Sequence, residues 1–152
     1  MARLMKSTSP EIDVEELGDE FYRADIEFEG VDHSGSTYEA RVFLNNPGAR
    51  AGTRPTAANG YAGSYYVFGH GGCYGDQGHC DVVPRGPYDP RPPHGLLPTR
   101  RVVVATDAVR RAVAKKKKLS ITVVPILMST TDKVPEDETI PKFESASLIT
   151  YQ

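Results

Sequence analysis

The sequence predicts an all-β domain, an antiparallel β-sandwich or barrel of about six or seven short strands with one short helix and a long Gly/Pro-rich loop. Three observations predict it. Apolar residues recur at every second position in several short runs, which is the period of a half-buried strand. Clusters of Gly, Pro, Asn and Asp separate those runs, as turns require. Only the stretch after Thr106 carries helical spacing of apolar residues between a polar start and a basic end.

Taken in order, residues 1–20 are polar and acidic with little periodicity, so they are expected to form a flexible leader or linker before a single β domain over 21–152. The clearest strand follows. Tyr22, Ala24, Ile26 and Phe28 share one face, while Arg23, Asp25, Glu27 and Glu29 share the other. After the turn residues of 30–35, Tyr38, Ala40, Val42 and Leu44 alternate with Glu39 and Arg41 until Asn45, Asn46, Pro47 and Gly48 stop the run. Two strands joined by so short a loop are expected to pair as an antiparallel hairpin, with Glu27 and Glu29 beside Glu39 and Arg41 in cross-strand charge pairs. Residues 49–60 form an irregular connection, and Tyr61 to Phe68 supplies an aromatic third strand.

Residues 69–98 are so rich in Gly and Pro that no regular element is expected. Long irregular loops inside compact domains tend to carry function, so this loop is where contact or activity is sought. Order is expected to return with Arg101 to Ala105, a buried strand by its valines. A helix follows, with Thr106 as its cap, Asp107 in its first turn and Val109, Ala112 and Val113 on its inner face. The basic run Lys115 to Lys118 reads as a solvated helix end. Leu119 to Ile126 is a strand whose Pro125 implies an edge or a strand end, and Phe143 to Tyr151 closes the chain.

Charge and composition narrow the function. With 18 basic and 20 acidic residues the net charge is -2, so no general field favours nucleic acid or an anionic membrane. No run approaches the roughly 18 apolar residues that cross a bilayer, and the start MARLMKSTSP has no apolar core of a secretory signal. A cytoplasmic location is therefore expected.

The segment GHGGCYGDQGHC places His70, Cys73, His79 and Cys80 within one loop. Thiolates and imidazoles suit zinc or cuprous ion, and the surrounding glycines permit convergence. The same cysteines can instead close a disulfide, Cys73 to Cys80, or stand as two inert thiols in a structural loop. No base and orienting carboxylate accompany them, so a catalytic cysteine is not expected. Asp76, Asp81 and Asp89 in the same loop read as turn residues.

The collinear segments FEGVDHSGSTYEARVFLNN, YAGSYYVFGH, RRVVVATDAVRRAV, LSITVVPI and FESASLITY together resemble the C-terminal domain of the polyphenol oxidase and tyrosinase family. That domain is similar to the third domain of hemocyanins. The resemblance spans about Tyr22 to Tyr151, apart from the long loop. It implies a β domain lying over the copper pocket of a separate helical catalytic unit, where six histidines hold two copper ions and a bulky side chain of the β domain can block phenol access. This sequence has only His33, His70, His79 and His94, so the chain is expected not to be an enzyme on its own. The long loop departs from the family pattern, so no blocking residue transfers by position; Tyr74, Tyr88, Leu96 and Leu97 are the candidate plug residues. The alternatives are a metal-binding or copper-delivery module using the His/Cys loop, and a β domain that self-associates into oligomers through uncovered strand edges.

Overall fold

Alternation tells which face of a strand turns inward but not which strands share a sheet, and that assignment comes from the three-dimensional structure. A computed structural model describes residues 3–15, 17, 20–70, 76–78, 80–92, 95–115, 118–128 and 139–152. In chain order its elements are β1 (Arg3–Leu4), β2 (Ser7–Thr8), β3 (Ile12–Asp13), β4 (Arg23–Val31), β5 (Tyr38–Leu44), a 3-10 turn (Ala57–Asn59), β6 (Tyr61–Val67), β7 (Thr99–Val104), α1 (Thr106–Lys115), β8 (Lys118–Leu119), β9 (Ile121–Leu127), β10 (Thr139–Ile140) and β11 (Ser145–Tyr151). Two antiparallel sheets dominate, one in the order β11-β4-β7 and one in the order β2-β9-β5-β6. The expected mostly antiparallel architecture with one short helix is present, as packed sheets and not a closed barrel.

The core is the layer between those sheets. Ala24, Ile26 and Phe28 of β4 are fully buried, as are Ala40 and Val42 of β5. The Phe28 ring lies 4.7 Å from Tyr65 of the other sheet and meets Phe143 edge-on at 5.2 Å, the tilted geometry that aromatic quadrupoles favour. Tyr65 is buried deeply enough that burial, followed by the neighbouring Tyr38, drives its phenol pKa well above the ordinary range. A second cluster, Phe43, Ala49 and Val124, lies outside this layer and is joined by Tyr61 and Ile126.

Several expectations change. β4 and β5 are not a hairpin: β4 pairs with β11 and β7, whereas β5 pairs with β6 and β9. Both strands bury an apolar face, and such faces are covered as well by facing each other across the core as by lying side by side. The charge pairs change with the pairing. Glu27 and Glu29 meet Arg100 of β7, and Arg41 meets Glu39 of its own strand at 3.1 Å. β7 is buried on one face only: Val103 is inside, while Val102 and Val104 are exposed, because the strand lies at the border of its sheet.

Residues 3–14 are not a loose leader. β2 pairs with β9, β3 with β8, and β1 runs parallel to β10. Ser9 donates its backbone N–H to Ile121 at 2.8 Å, and its hydroxyl accepts the Ile121 N–H at 2.9 Å. Val14 is buried in the main core with Ile12 and Leu17 against it. Strands of two residues, with Pro10 between them, are too short to show a period, yet they satisfy backbone groups that the border of β9 would otherwise leave open.

Helix α1 covers one end of the layer with Ala108 and Val109 buried. Its first turn closes on the Ala105 carbonyl, which accepts from Val109 N–H at 2.9 Å. The Thr106 hydroxyl, expected to cap the helix, instead accepts the N–H of Ala24 at 3.1 Å and ties the helix to β4. Arg110 donates to the Phe21 carbonyl at 2.7 Å and lies over the Phe21 ring. Among the described residues no helix is long and apolar enough to cross a membrane.

The N-terminal lacing has a direct test. Val14→Ser removes a buried apolar side chain worth about 1.5–3 kcal/mol, which lowers the melting temperature by roughly 2–4 °C for each kcal/mol in a chain of this size. An unchanged melting temperature would mean that the segment is loose.

Candidate functional site

The long loop leaves β6 after Val67 and returns at Thr99. Its two ends lie close together, because the Arg101 guanidinium reaches the Tyr66 carbonyl at 3.4 Å. Phe68, immediately beyond β6, is 76% exposed; Met128, immediately beyond β9, is 57% exposed; and Tyr66 is 50% exposed. Val67 and Leu127 both lie opposite inward-facing Tyr38, so strand alternation sends Phe68 and Met128 toward the outer face, where Tyr66 already points. Thr37 sits between them, its hydroxyl accepting Gly69 N–H at 3.0 Å and its carbonyl accepting Met128 N–H at 3.2 Å. Three large apolar side chains thus lie exposed at one end of one sheet, the kind of patch that marks contact surfaces.

His33 fastens both ends of the loop. Its carbonyl accepts the backbone N–H of His70 at 3.1 Å, and its buried ring donates through Nε2 to the Leu97 carbonyl at 2.9 Å. The His70 ring packs edge-on against it, with centroids 5.6 Å apart. Gly69 is required at this junction, since a Cβ there would stand 2.0 Å from the Gly35 carbonyl oxygen. Beside it, the Asp32 carboxylate accepts from the Ser34 N–H at 2.8 Å and hydroxyl at 2.6 Å, and pairs with Lys142 at 3.0 Å. Partial burial alone would raise the Asp32 pKa, but the Ser34 and Lys142 contacts outweigh it and hold the pKa below its ordinary value.

The outer part of the loop carries a braced tip. Asp89 donates its N–H to the Gly86 carbonyl at 3.2 Å, closing a turn with Pro87 and Tyr88 at its centre. The Asp89 carboxylate holds the Arg91 N–H at 3.0 Å and its Nε at 2.9 Å, and Arg85 donates to the Asp89 carbonyl at 2.8 Å. Hydrogen bonding from Arg91 lowers the Asp89 pKa. Tyr88, at the apex, is 95% exposed.

Of the candidate plug residues, Tyr88 projects fully into solvent. Leu96 and Leu97 are half-buried where the loop returns, and Tyr74 lies outside the described residues. Of the candidate metal ligands, Cys73 and His79 also lie outside the described residues. His70 is exposed, while Cys80 is half-buried and disulfide-bonded, so its sulfur offers no thiolate to an ion. The sequence has one other cysteine, Cys73. Among the described residues no three of His, Cys, Asp and Glu come together in a metal-holding group. Sequence reasoning missed His33, Phe68 and Met128. Nothing in a turn histidine announces a staple, and a strand-ending Phe reads as core.

No protein-family model matches the chain, and no curated protein matches it. Among solved structures it is similar to recombinantly expressed latent aurone synthase, a polyphenol oxidase, with TM-score 0.50 and 13% identity over 100% of this chain and 25% of that one. The same enzyme from natural source gives TM-score 0.48 and 14% identity over 98% and 25%. The chain therefore spans about a quarter of the length of the structures it matches, and at this identity the likeness is one of fold.

Two outcomes follow for the loop base. His33→Ala leaves the Leu97 carbonyl without its donor, at a cost of about 1–3 kcal/mol, and trypsin should then cut faster after Arg85, which precedes Gly86; unchanged cleavage would deny the staple. Because the folded pKa of Asp32 is depressed, its contribution is present above the unfolded value and lost as pH falls through the folded one. Thermal melts should weaken between about pH 5 and pH 2, and less steeply in Asp32→Asn.

Proposed function

We propose that this chain is a noncatalytic accessory domain of a tyrosinase-like copper oxidase, a lid that lies over the copper pocket and limits phenol access until the contact is released. The observation that carries the reading is the proline-braced loop tip that presents Tyr88 beyond the surface, on a fold similar to a quarter-length portion of a latent polyphenol oxidase. A tyrosine side chain is itself a phenol, so it has the shape that such a pocket accepts. The Asp89 clamp on Arg91 and Arg85 holds the tip in place before docking, which reduces the ordering entropy lost on contact. The exposed Phe68, Met128 and Tyr66, on the outer face of the sheet that the loop leaves, supply apolar area for the catalytic partner.

The dinuclear copper chemistry in this reading belongs to the partner. Six imidazoles are needed for two such ions in the family that the sequence resembles, and this chain has four histidines. The chain's own residues exclude substrate: Tyr88 occupies the entrance, the apolar patch keeps it seated, and the His33 staple keeps the loop ends from drifting.

The test mixes the purified chain with a tyrosinase-like catalytic domain from the same source and follows diphenol oxidation. Turnover should fall on addition of the chain, and Tyr88→Ala should relieve most of that inhibition while changing the melting temperature little. Undiminished turnover together with no association in sedimentation overturns the proposal.

A further inference from the structure

We infer that the cleft between α1 and the turn at Ala57–Asn59 binds a small carboxylate with an apolar body. The cleft has a volume of about 260 Å³, below the range of roughly 300–1,000 Å³ typical for drug-sized ligands, so its ligand is compact. Ala108, Arg111, Ala112 and Lys115 of the helix line it. Their spacing of three and four residues places them on one stripe. Alanine in that stripe leaves the space open, and Ala57 and Ala58 do the same on the opposite wall.

The charge in this cleft is one-sided. No Asp or Glu lines it, and among the described residues neither Arg111 nor Lys115 has an ion-pair partner; the one acid of the first helical turn, Asp107, reaches Arg110 instead. A lysine in the last turn is accounted for by the helix dipole. The exposed arginine four residues earlier adds a second cation beside the same opening. The amides around the cleft are committed to shaping it: Asn45 Oδ1 accepts the Ser120 N–H at 2.9 Å, Asn46 Nδ2 donates to the Asn59 carbonyl at 2.9 Å, and Asn59 Nδ2 donates to the Arg54 carbonyl at 2.9 Å. Gly60 keeps the wall close, because a Cβ there would stand 2.2 Å from the Leu44 carbonyl oxygen.

A guanidinium and an ammonium on adjacent turns can share one carboxylate, the arginine through its planar fork and the lysine as a point charge. Ala57, Ala58, Ala108 and Ala112 offer apolar wall to the rest of the ligand beside the three asparagines, which favours a compact organic carboxylate over a bare inorganic anion.

The experiment is calorimetric titration of the full chain with sodium benzoate, neutral benzamide and inorganic phosphate. Benzoate should bind saturably at one site, roughly tenfold or more tighter than either comparator. The double variant Arg111→Gln, Lys115→Gln should weaken it by a similar factor. Ala58→Leu, at an exposed position on the wall, should block the cleft with both charges intact, and it keeps the test decisive if the double variant folds poorly. Equal binding of benzamide, equal binding of phosphate, or benzoate binding indifferent to both variants overturns the assignment.

Discussion

The apolar layer between the two sheets is the constraint from which the other features follow. Phe28 is fully buried between Tyr65 and Phe143, and a well-packed interior has few alternative arrangements of comparable density. That fixes β4 over β5 and brings β6 beside β7 at one border. There Gly63 is required, since a Cβ would lie 2.6 Å from Val103 Cγ1. Once β6 and β7 are neighbours, the chain between them starts and ends at nearly one place. The entropy of closing a loop rises only slowly with its length, so a long excursion is tolerated when its ends are already together. The loop is thus a consequence of strand placement, and His33 adds the local bond that holds its mouth.

The outer faces of the sheets show a different economy of charge. Asp25 and Glu27 are buried in the middle of the β11-β4-β7 sheet, each beneath an exposed arginine: Asp25 pairs with Arg23 at 2.8 Å, and Glu27 with Arg100. Burying a carboxylate without a partner is far more costly than leaving it in water. The arginines let β4 keep acids on its outer side while both of its neighbours stay close. On the other sheet, Glu39 accepts from Arg41 and from Ser64 Oγ, whose hydroxyl also meets Tyr61 at 2.9 Å. Burial alone would raise the Glu39 pKa, and these partners lower it. Such networks help to fix strand register.

Much of the fold was legible in the sequence because periodicity is local. Ala24, Ile26 and Phe28 announced a face, and Val109 with the lysines announced a helix. Pairing was not legible, because apolar faces of β4 and β5 look the same whether the strands are side by side or opposed. The N-terminal strands were not legible either, since two residues cannot display a period and their value lies in backbone groups of β9 far away in sequence. The candidate site was half legible. Glycine and proline marked the loop, and Tyr88 stood among the named plug residues, but the Phe68 and Met128 patch required knowing that both strands end at the same place beside Thr37.

The fold also separates its two candidate sites. β7 begins at the loop and ends at α1, while β5 begins at Tyr38 near the loop mouth and ends at Leu44 in the wall of the cleft. Strands of this length place the two regions roughly 20 Å apart at about 3.3 Å per residue. A contact confined to Phe68 and the loop mouth would therefore leave the helix cleft open to solvent. The strands between are packed on the Phe28 layer and paired along most of their length, with register shifts between Phe28 and Val31 and between Val42 and Phe43. Coupling between the two regions would require these packed strands to take a second discrete arrangement, so regulation through the cleft is expected to act on whatever meets the helix end of the sandwich.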